Sequence, residues 1–130
     1  METDEFDNLI VSSNDVINKK IIADLLTHFV KISTDGEVLF ENTFFSLDNK
    51  RKLLIYLLTR KVMKIKNIGS LEAEEAGPSE ISNKTGIAFG SVTWTVRDMD
   101  NKFIKSINGK YYVPNYYIEK IKDLFKEGGI

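Results

Sequence analysis

Side chains that could carry out covalent or metal-dependent chemistry are scarce in this chain of 130 residues. It contains no cysteine and a single histidine, His28, so neither a thiolate nucleophile nor a paired set of histidine and cysteine ligands is indicated. No nucleophile elbow or phosphate-binding loop is present, and the carboxylates are scattered over predicted loops and surfaces. The sequence therefore predicts a protein that is not an enzyme and has no cofactor or metal, which leaves binding as its function.

Polar and basic residues are instead organised between Pro78 and Val113. Gly77, Pro78 and Glu80 are typical of the start of a helix. Gly86 is typical of its end, because only glycine enters the left-handed conformation there at little cost. The segment from Pro78 to Gly86 is therefore predicted to be a short helix followed by a tight turn.

A second helix and a hairpin follow directly. A helix is predicted from Ala88 to Asn101, because its apolar residues recur at spacings of four and three residues. These residues are Val92, Val96 and Met99. The stretch 103–107 then alternates, Asn108-Gly109 is a strong signal for a hairpin turn, and 110–113 is predicted to be the partner strand.

This order of elements resembles the winged helix-turn-helix superfamily of DNA-binding domains. The family's short motifs occur here in the family's order, and a hairpin follows them. The matching segments are Ser79–Ser82, Thr85-Gly86-Ile87, Gly90-Ser91-Val92, Arg97-Asp98-Met99 and the hairpin 103–113. The resemblance covers roughly the C-terminal two thirds of the chain when a helix at 48–66 is counted as the family's first helix.

The resemblance implies a mostly α-helical fold with a small β-hairpin wing and with added helices at both ends of the domain. Residues 1–47 are then an N-terminal extension, and residues 48–130 are the winged domain with its C-terminal helix. The helix inside 48–66 is predicted from about Asn49 to Ile65, with Ser46 or Asp48 as its cap.

The resemblance also implies that helix 88–101 enters the major groove of double-stranded DNA and that the wing contacts flanking DNA. Arg97 is the candidate for guanine, because its guanidinium can meet two acceptors at once. Ser91 and Thr93 would bond to bases or phosphates, and Gly90 would permit close approach of the backbone. The remaining candidate contacts are Lys84, Phe89, Trp94, Lys102, Lys105, Asn108 and Lys110. These roles correspond to a sequence-specific transcriptional regulator.

Two aromatic residues leave an alternative function open. Phe89 and Trp94 stand where the family more often has basic or polar residues, and Ala88 stands where it often has a capping Ser or Thr. In a DNA groove the aromatic rings would contact thymine methyl groups. As an exposed patch they would bind a protein, which would make the fold an adaptor module. The third possibility is that they pack on Tyr111 and Tyr112 or on the N-terminal extension.

The net charge of −1 hides blocks of opposite sign. Residues 48–66 carry seven basic and one acidic side chains, and residues 82–126 carry eight basic and four acidic ones. Residues 1–47 and 67–81 are acidic. The basic residues of the helix 49–65 are expected on a solvated face or against flanking phosphates. The acidic segment 67–76 is expected to be a loop or a loose helical extension that faces away from DNA.

The two ends of the chain are expected to be helical. A capping-box pattern at Ser12 predicts a helix to about Val30, and a short strand is predicted over 37–41. A C-terminal helix from Pro114 to about Lys126 carries an apolar stripe that the nearly closed domain leaves in need of a partner. We therefore expect it to pack on the N-terminal helix and one or both helices to form a homodimer. The alternative is that both helices cap their own monomer.

The remaining composition bears on location. No apolar run approaches the ~18 residues that cross a bilayer, and the first eleven residues carry four acidic and no basic side chains, unlike a secretory signal. This acidic start is interpreted either as a tail or as an arm that competes with DNA for the basic surface. With no cysteine, a cytoplasmic protein without a membrane partner is expected.

Overall fold

The computed structural model describes Phe6 and residues 18–127. In these residues the chain is mostly helical, with two small antiparallel hairpins. The elements in order are α1 (Lys19–Thr27), β1 (Val30–Ile32), β2 (Val38–Phe40), α2 (Asn42–Phe45), α3 (Asn49–Ile65), α4 (Pro78–Thr85), α5 (Phe89–Met99), β3 (Lys105–Ile107), β4 (Lys110–Tyr112) and α6 (Ile118–Glu127). The predicted α-rich architecture with a small hairpin is confirmed. None of the helices in this part of the chain is long and apolar enough to cross a bilayer.

Local signals explain the bounds of α3 and α4. Asp48 caps α3, since its carboxylate accepts a hydrogen bond from the Arg51 amide at 2.9 Å. Pro78 occupies the first turn of α4, and Gly86 ends it in the left-handed conformation with φ of 81°. The predicted bounds of both helices are confirmed.

Helix α5 is shorter than predicted at both ends. It begins at Phe89, with Ala88 as an N-cap residue that makes no side-chain hydrogen bond, and it ends at Met99. Asp100 is extended and Asn101 has φ of 63°, so the backbone leaves the helix before residue 101. The hairpin that follows is also shorter than predicted, with strands of three residues in register between Lys105 and Tyr112.

The N-terminal helix ends earlier than predicted. Helix α1 stops at Thr27, and Val30 belongs to strand β1, which pairs with β2 instead of continuing the helix. The first residue of the described helix is capped by Asn18, whose side-chain oxygen accepts from the Ile21 amide at 3.1 Å. The predicted cap at Ser12 lies outside the described residues. The predicted strand 37–41 is confirmed in shorter form as β2.

Helix α3 forms the centre of the core, and the terminal helices pack on one another beside it. Residues 53–59 of α3 are buried on every side of the helix. Phe29, just after α1, and Phe125 on α6 lie with ring centroids 5.8 Å apart. The apolar stripe of α6 is buried within the same chain through Ile118, Ile121 and Phe125. The expected packing of the two helices is thus confirmed, and the stripe no longer supplies a reason for a second copy; the homodimer stays a prediction.

The acidic segment before α4 is bound to α3. Arg60 donates from Nε to the Glu74 carbonyl at 2.8 Å and from Nη2 to the Ala73 and Glu75 carbonyls at 3.0 and 3.1 Å. Its Nη1 pairs with the Glu80 carboxylate. We call Arg60 and the groups around it the Arg60 network; its members are Tyr56, Arg60, Lys61, Glu74 and Glu80.

Lys61 and Tyr56 extend the Arg60 network. The Lys61 ammonium lies 3.0 Å from the Glu74 carboxylate and 3.1 Å from the Asn115 side-chain oxygen, and the residue is only 5% exposed. The Tyr56 hydroxyl donates to Glu80 at 2.7 Å. The expectation that the basic residues of α3 lie on a solvated face or against phosphates is therefore wrong for Arg60 and Lys61, because neighbouring carboxylates and carbonyls bind them inside the fold.

Candidate nucleic-acid interface

The face of α5 that points away from the core is built from Gly90, Trp94 and Arg97. These residues recur at spacings of four and three, so they form one line along the helix. The core-facing side of the same helix consists of Val92, Thr95, Val96 and Met99, all of them buried. Packing of this buried side leaves the line of Gly90, Trp94 and Arg97 in solvent; we call it the α5 stripe.

The aromatic residues of α5 are exposed. Trp94 is 65% exposed and Phe89 is 53% exposed. Within the described part of the chain, neither ring stacks on another aromatic ring. Packing on Tyr111 and Tyr112 is therefore wrong, and both rings are open to a ligand among residues 18–127. Packing on the N-terminal extension is a possibility that falls largely on residues 1–17, outside the described part of the chain.

Arg97 and Lys84 are free to bind an anion. Arg97 is exposed at the C-terminal end of the α5 stripe, in the last turn of α5, and Lys84 is exposed in the last turn of α4. Neither forms an ion pair with any residue among 18–127. Their guanidinium and ammonium donors are therefore not committed to partners in this part of the fold.

A basic cluster surrounds the C-terminal half of α5. The Asp98 carboxylate lies 3.6 Å from the Lys50 ammonium and 4.0 Å from that of Lys102. Lys105 donates to the Asn101 side chain at 2.6 Å, and Lys120 of α6 donates to the Lys102 carbonyl at 2.7 Å. Two lysines thus flank the Asp98 carboxylate and two more bond to Asn101 and Lys102 beside it, so the cluster keeps a positive balance.

Two members of this basic cluster are not among the candidate contacts named from the sequence motif. Lys50 belongs to α3 and Lys120 to α6, both distant in the chain from the motif. Only the packing of three helices brings them beside α5, and no local pattern carries that information. Lys102 and Lys105, which precede β3 and begin it, are among the predicted DNA contacts.

The small polar residues of α5 differ in their accessibility. The Thr93 hydroxyl donates to the Gly90 carbonyl at 2.8 Å, so it offers lone pairs rather than its proton. Ser91 is half-buried and lines a shallow groove of about 340 Å³ with Trp94, Asn49 and Lys50. A Cβ at Gly90 would meet nothing within 4 Å, so the backbone at this position is open to a close approach from outside.

The β3–β4 hairpin presents its turn to solvent. Asn108 and Gly109 have φ of 51° and 78°, the two consecutive left-handed residues of a type I′ turn. Lys110 after the turn is exposed. The base of the hairpin is held by two hydrogen bonds between Tyr111 and Ala76, of 2.9 and 2.8 Å. The hairpin is thus attached to the segment before α4 through Tyr111, and its exposed turn carries Asn108 and Lys110.

Other kinds of site find no support in the described residues. No group of three or more His, Asp or Glu side chains among them is arranged to hold a metal ion. His28 is exposed at the C-terminal end of α1, as expected for a surface position.

The candidate interface thus consists of the α5 stripe, the basic cluster at the C-terminal half of α5, Lys84 on α4 and the end of the β3–β4 hairpin. These groups offer a guanidinium, several ammonium groups, two aromatic faces and an open stretch of backbone. Comparisons with protein-family models, with curated proteins and with solved structures give no match to this chain.

Proposed function

We propose that this protein is a sequence-specific double-stranded DNA-binding transcriptional regulator of the winged helix-turn-helix type. The observation that carries the proposal is the α5 stripe, in which Trp94 and Arg97 stand in solvent beside a basic cluster and Arg97 has no ion-pair partner among residues 18–127. Helix α5 acts as the recognition helix in the major groove, and the β3–β4 hairpin acts as the wing on flanking DNA.

The dimensions and connections of α4 and α5 support this function. The two helices are joined by the three residues 86–88, as in a helix-turn-helix. Helix α5 has 11 residues and is about 16 Å long, and the major groove of about 12 Å admits a helix of this kind. Its N-terminal half presents Gly90, where no side chain separates the backbone from a base edge.

The charges support contact with phosphates on both sides of α5. Lys84 lies before the helix, and Lys102, Lys105 and Lys110 lie after it. The carboxylate of Asp98 faces two ammonium groups, which reduces its repulsion of a phosphate backbone. In this proposal Arg97 reads guanine, and Trp94 offers an apolar surface to thymine methyl groups.

The test is the binding of labelled random duplex DNA, measured by fluorescence anisotropy over a series of salt concentrations. Each phosphate contact is expected to contribute a slope of about −0.9 in a plot of log affinity against log salt. Trp94 is the chain's only tryptophan, so its own fluorescence gives a second readout at the proposed interface. Absence of duplex binding at low salt would overturn the proposal.

A charge-matched control separates the interface from general basicity. Arg97→Ala removes one positive charge from the α5 stripe, and Lys122→Ala removes one from an exposed position on α6 in a cleft that it shares with Asn18 and Lys20. We expect Arg97→Ala to weaken binding and Lys122→Ala to leave it nearly unchanged. Equal losses would mean that attraction is diffuse and not centred on α5.

A protein-interaction adaptor is the second candidate, and the exposure of Phe89 and Trp94 favours it. Exposed aromatic residues are frequent energetic centres of protein interfaces. In this function Trp94→Ala abolishes capture of a protein partner, while duplex DNA binds negligibly to either form. A partner captured equally well by the Trp94→Ala variant would remove the support for the adaptor.

A homodimer on an inverted repeat is a separate part of the proposal. Two copies would place their recognition helices about one helical turn, or roughly 10 base pairs, apart. Sedimentation velocity of the protein with and without a selected DNA site tests it. A monomer in both conditions would exclude the dimer and leave the contact of a single α5 with DNA untouched.

A further inference from the structure

A groove on another part of the molecule is formed by α1, β1 and the last turns of α3. Its volume is about 440 Å³. The lining residues are Lys19, Ile22, Ala23, Leu26, Thr27, Val30, Lys31, Ile32, Val62, Ile65 and Lys66. Ile22, Leu26 and Val30 form a buried floor, and Ile65 on α3 is 40% exposed at its wall. The groove therefore exposes apolar surface to which a ligand can bind.

The rim of this groove is positively charged. Lys19, Lys31 and Lys66 line it and are exposed. No acidic residue is among its described lining residues, and none of the three lysines pairs with a carboxylate in residues 18–127. An apolar floor with an uncompensated basic rim fits a segment that is both apolar and acidic.

Strand β1 adds unused backbone groups to the groove. The Glu41 amide donates to the Phe29 carbonyl, and the Ser33 amide donates to the Glu37 carbonyl, at 2.8 and 2.9 Å. In an antiparallel pair, residues whose backbone groups bond to the partner strand alternate with residues whose backbone groups do not. Because Phe29 and Ser33 are bonded to β2 or its flanking residues, the N–H and C=O groups of Val30 and Ile32 point away from β2. Both residues line the groove, and an extended segment could pair with this edge.

We propose that the acidic N-terminal segment of this same chain, residues 1–17, binds in the groove. The segment carries five acidic and no basic side chains, and it contains the apolar run Leu9-Ile10-Val11. This composition complements the floor and the rim. The segment joins the described fold at Asn18, next to Lys19 at the rim.

The length of the segment is sufficient for this contact. Asn18 follows Val11 by seven positions in the chain, a distance that reaches about 23 Å when the backbone is extended. Helix α1, which forms one side of the groove, has nine residues and is about 13 Å long. The run Leu9-Ile10-Val11 therefore reaches any part of the groove floor. This binding removes the acidic segment from the DNA-facing surface, where it would compete with phosphates.

A disulfide trap in the full-length chain tests the proposal, because the protein has no cysteine of its own. Val11→Cys is combined with Ile65→Cys in the groove, and a matched protein combines Val11→Cys with Ser106→Cys, an exposed position on the β3–β4 hairpin. Cross-linking under mild oxidation is followed by mass spectrometry of the intact chain and of its proteolytic fragments. We expect the groove pair to close at least about tenfold faster, as binding raises its effective concentration.

The outcomes are distinct. Faster closure of the groove pair at monomer mass supports binding within one chain. Three results would overturn the proposal. Closure at dimer mass would show that a second copy supplies the segment, and equal rates for both cysteine pairs would show that the segment has no preferred site. Faster closure with Ser106→Cys would place the segment on the β3–β4 hairpin. Lys31→Glu with Lys66→Glu, both at exposed positions, is expected to slow closure of the groove pair, and an unchanged rate would contradict the role of the rim.

Discussion

Arg60 on α3 and Arg97 on α5 are the same residue type on two packed helices, and their surroundings are opposite. The Arg60 side chain is 11% exposed and bonds to three backbone carbonyls and one carboxylate. Arg97 is exposed and has no ion-pair partner among residues 18–127. The first guanidinium holds a loop in place, and the second remains available for a ligand.

This difference shows why the charge of a segment is a poor measure of the charge that a ligand meets. Residues 48–66 have a higher positive density than residues 82–126. In the fold, however, Arg51, Arg60 and Lys61 bind neighbouring carboxylates. The lower density around α5 is more accessible, because several of its lysines and Arg97 stay in solvent.

Arg60→Ala is expected to have the largest effect. It removes four hydrogen bonds and leaves the carboxylate of Glu80 and three carbonyls without this donor, so we expect a loss of about 3 kcal/mol in the free energy of unfolding. Urea denaturation followed by circular dichroism measures it. Arg97→Ala is the matched control and is expected to change stability by less than about 0.5 kcal/mol. Similar losses for the two variants would show that the contrast between the two arginines is wrong.

Arg97→Ala is expected to have the next largest effect, on DNA affinity instead of stability. Loss of a bidentate contact to guanine weakens specific binding by about 1–3 kcal/mol, or roughly 5- to 150-fold. Anisotropy with a selected DNA site and with a scrambled site measures the change for each. The loss is expected to be larger on the selected site, because base contacts carry sequence information. A uniform loss would mean that Arg97 contacts phosphates only.

Tyr56→Phe tests the Arg60 network by removing a single hydroxyl group. Removing the hydroxyl that donates to Glu80 is expected to cost about 1 kcal/mol at pH 8. Burial, and then the hydrogen bond to Glu80, raises the pKa of Tyr56 above its ordinary value. The folded state therefore favours the protonated phenol, and this contribution is complete below about pH 10 and is lost as the pH rises towards the folded pKa.

The stability difference between wild type and Tyr56→Phe is therefore expected to shrink above about pH 10, by up to ~1.4 kcal/mol per pH unit. Urea denaturation of both proteins from pH 8 to 11 measures it. Tyr116→Phe, at a position 49% exposed, is the control and is expected to change stability little. A difference that stays constant across this range would contradict the raised pKa of Tyr56.

The helices that could be predicted are those whose signals are local. The bounds of α3 follow from the cap at Asp48 and a leucine stripe, and those of α4 follow from Pro78 and Gly86. Strand β1 was missed because Val30–Ile32 continues the apolar pattern of α1, and its partner β2 begins six residues later. Pairing across that distance outweighs the local helical pattern, and a single sequence does not display the pairing.

In the candidate site, too, features set by a local pattern could be predicted and features set by packing between distant segments could not. The exposed face of α5 could be predicted, because it is the complement of the stripe Val92, Val96 and Met99 on one helix. The burial of Arg60 could not, because three of its four acceptors are backbone carbonyls 13 to 15 residues away that any sequence would supply. The position of Lys50 beside Asp98 could not be predicted either, because only the packing of α3 on α5 brings the two together.

Asp98→Asn is expected to have the smallest effect on stability, and it tests whether the accessible lysines around α5 attract DNA. The carboxylate is partly exposed between Lys50 and Lys102, at 3.6 and 4.0 Å. Exposed ion pairs of this kind contribute about 0–1 kcal/mol, so stability is expected to fall only slightly. Freed from this carboxylate, both ammonium groups become available to phosphates, and non-specific DNA affinity at low salt is expected to rise a few-fold with a steeper salt dependence.

The same measurements on Asp123→Asn, an exposed carboxylate of α6, control for the change in net charge. An equal rise for both variants would mean that overall charge, and not the lysines around α5, governs attraction to DNA.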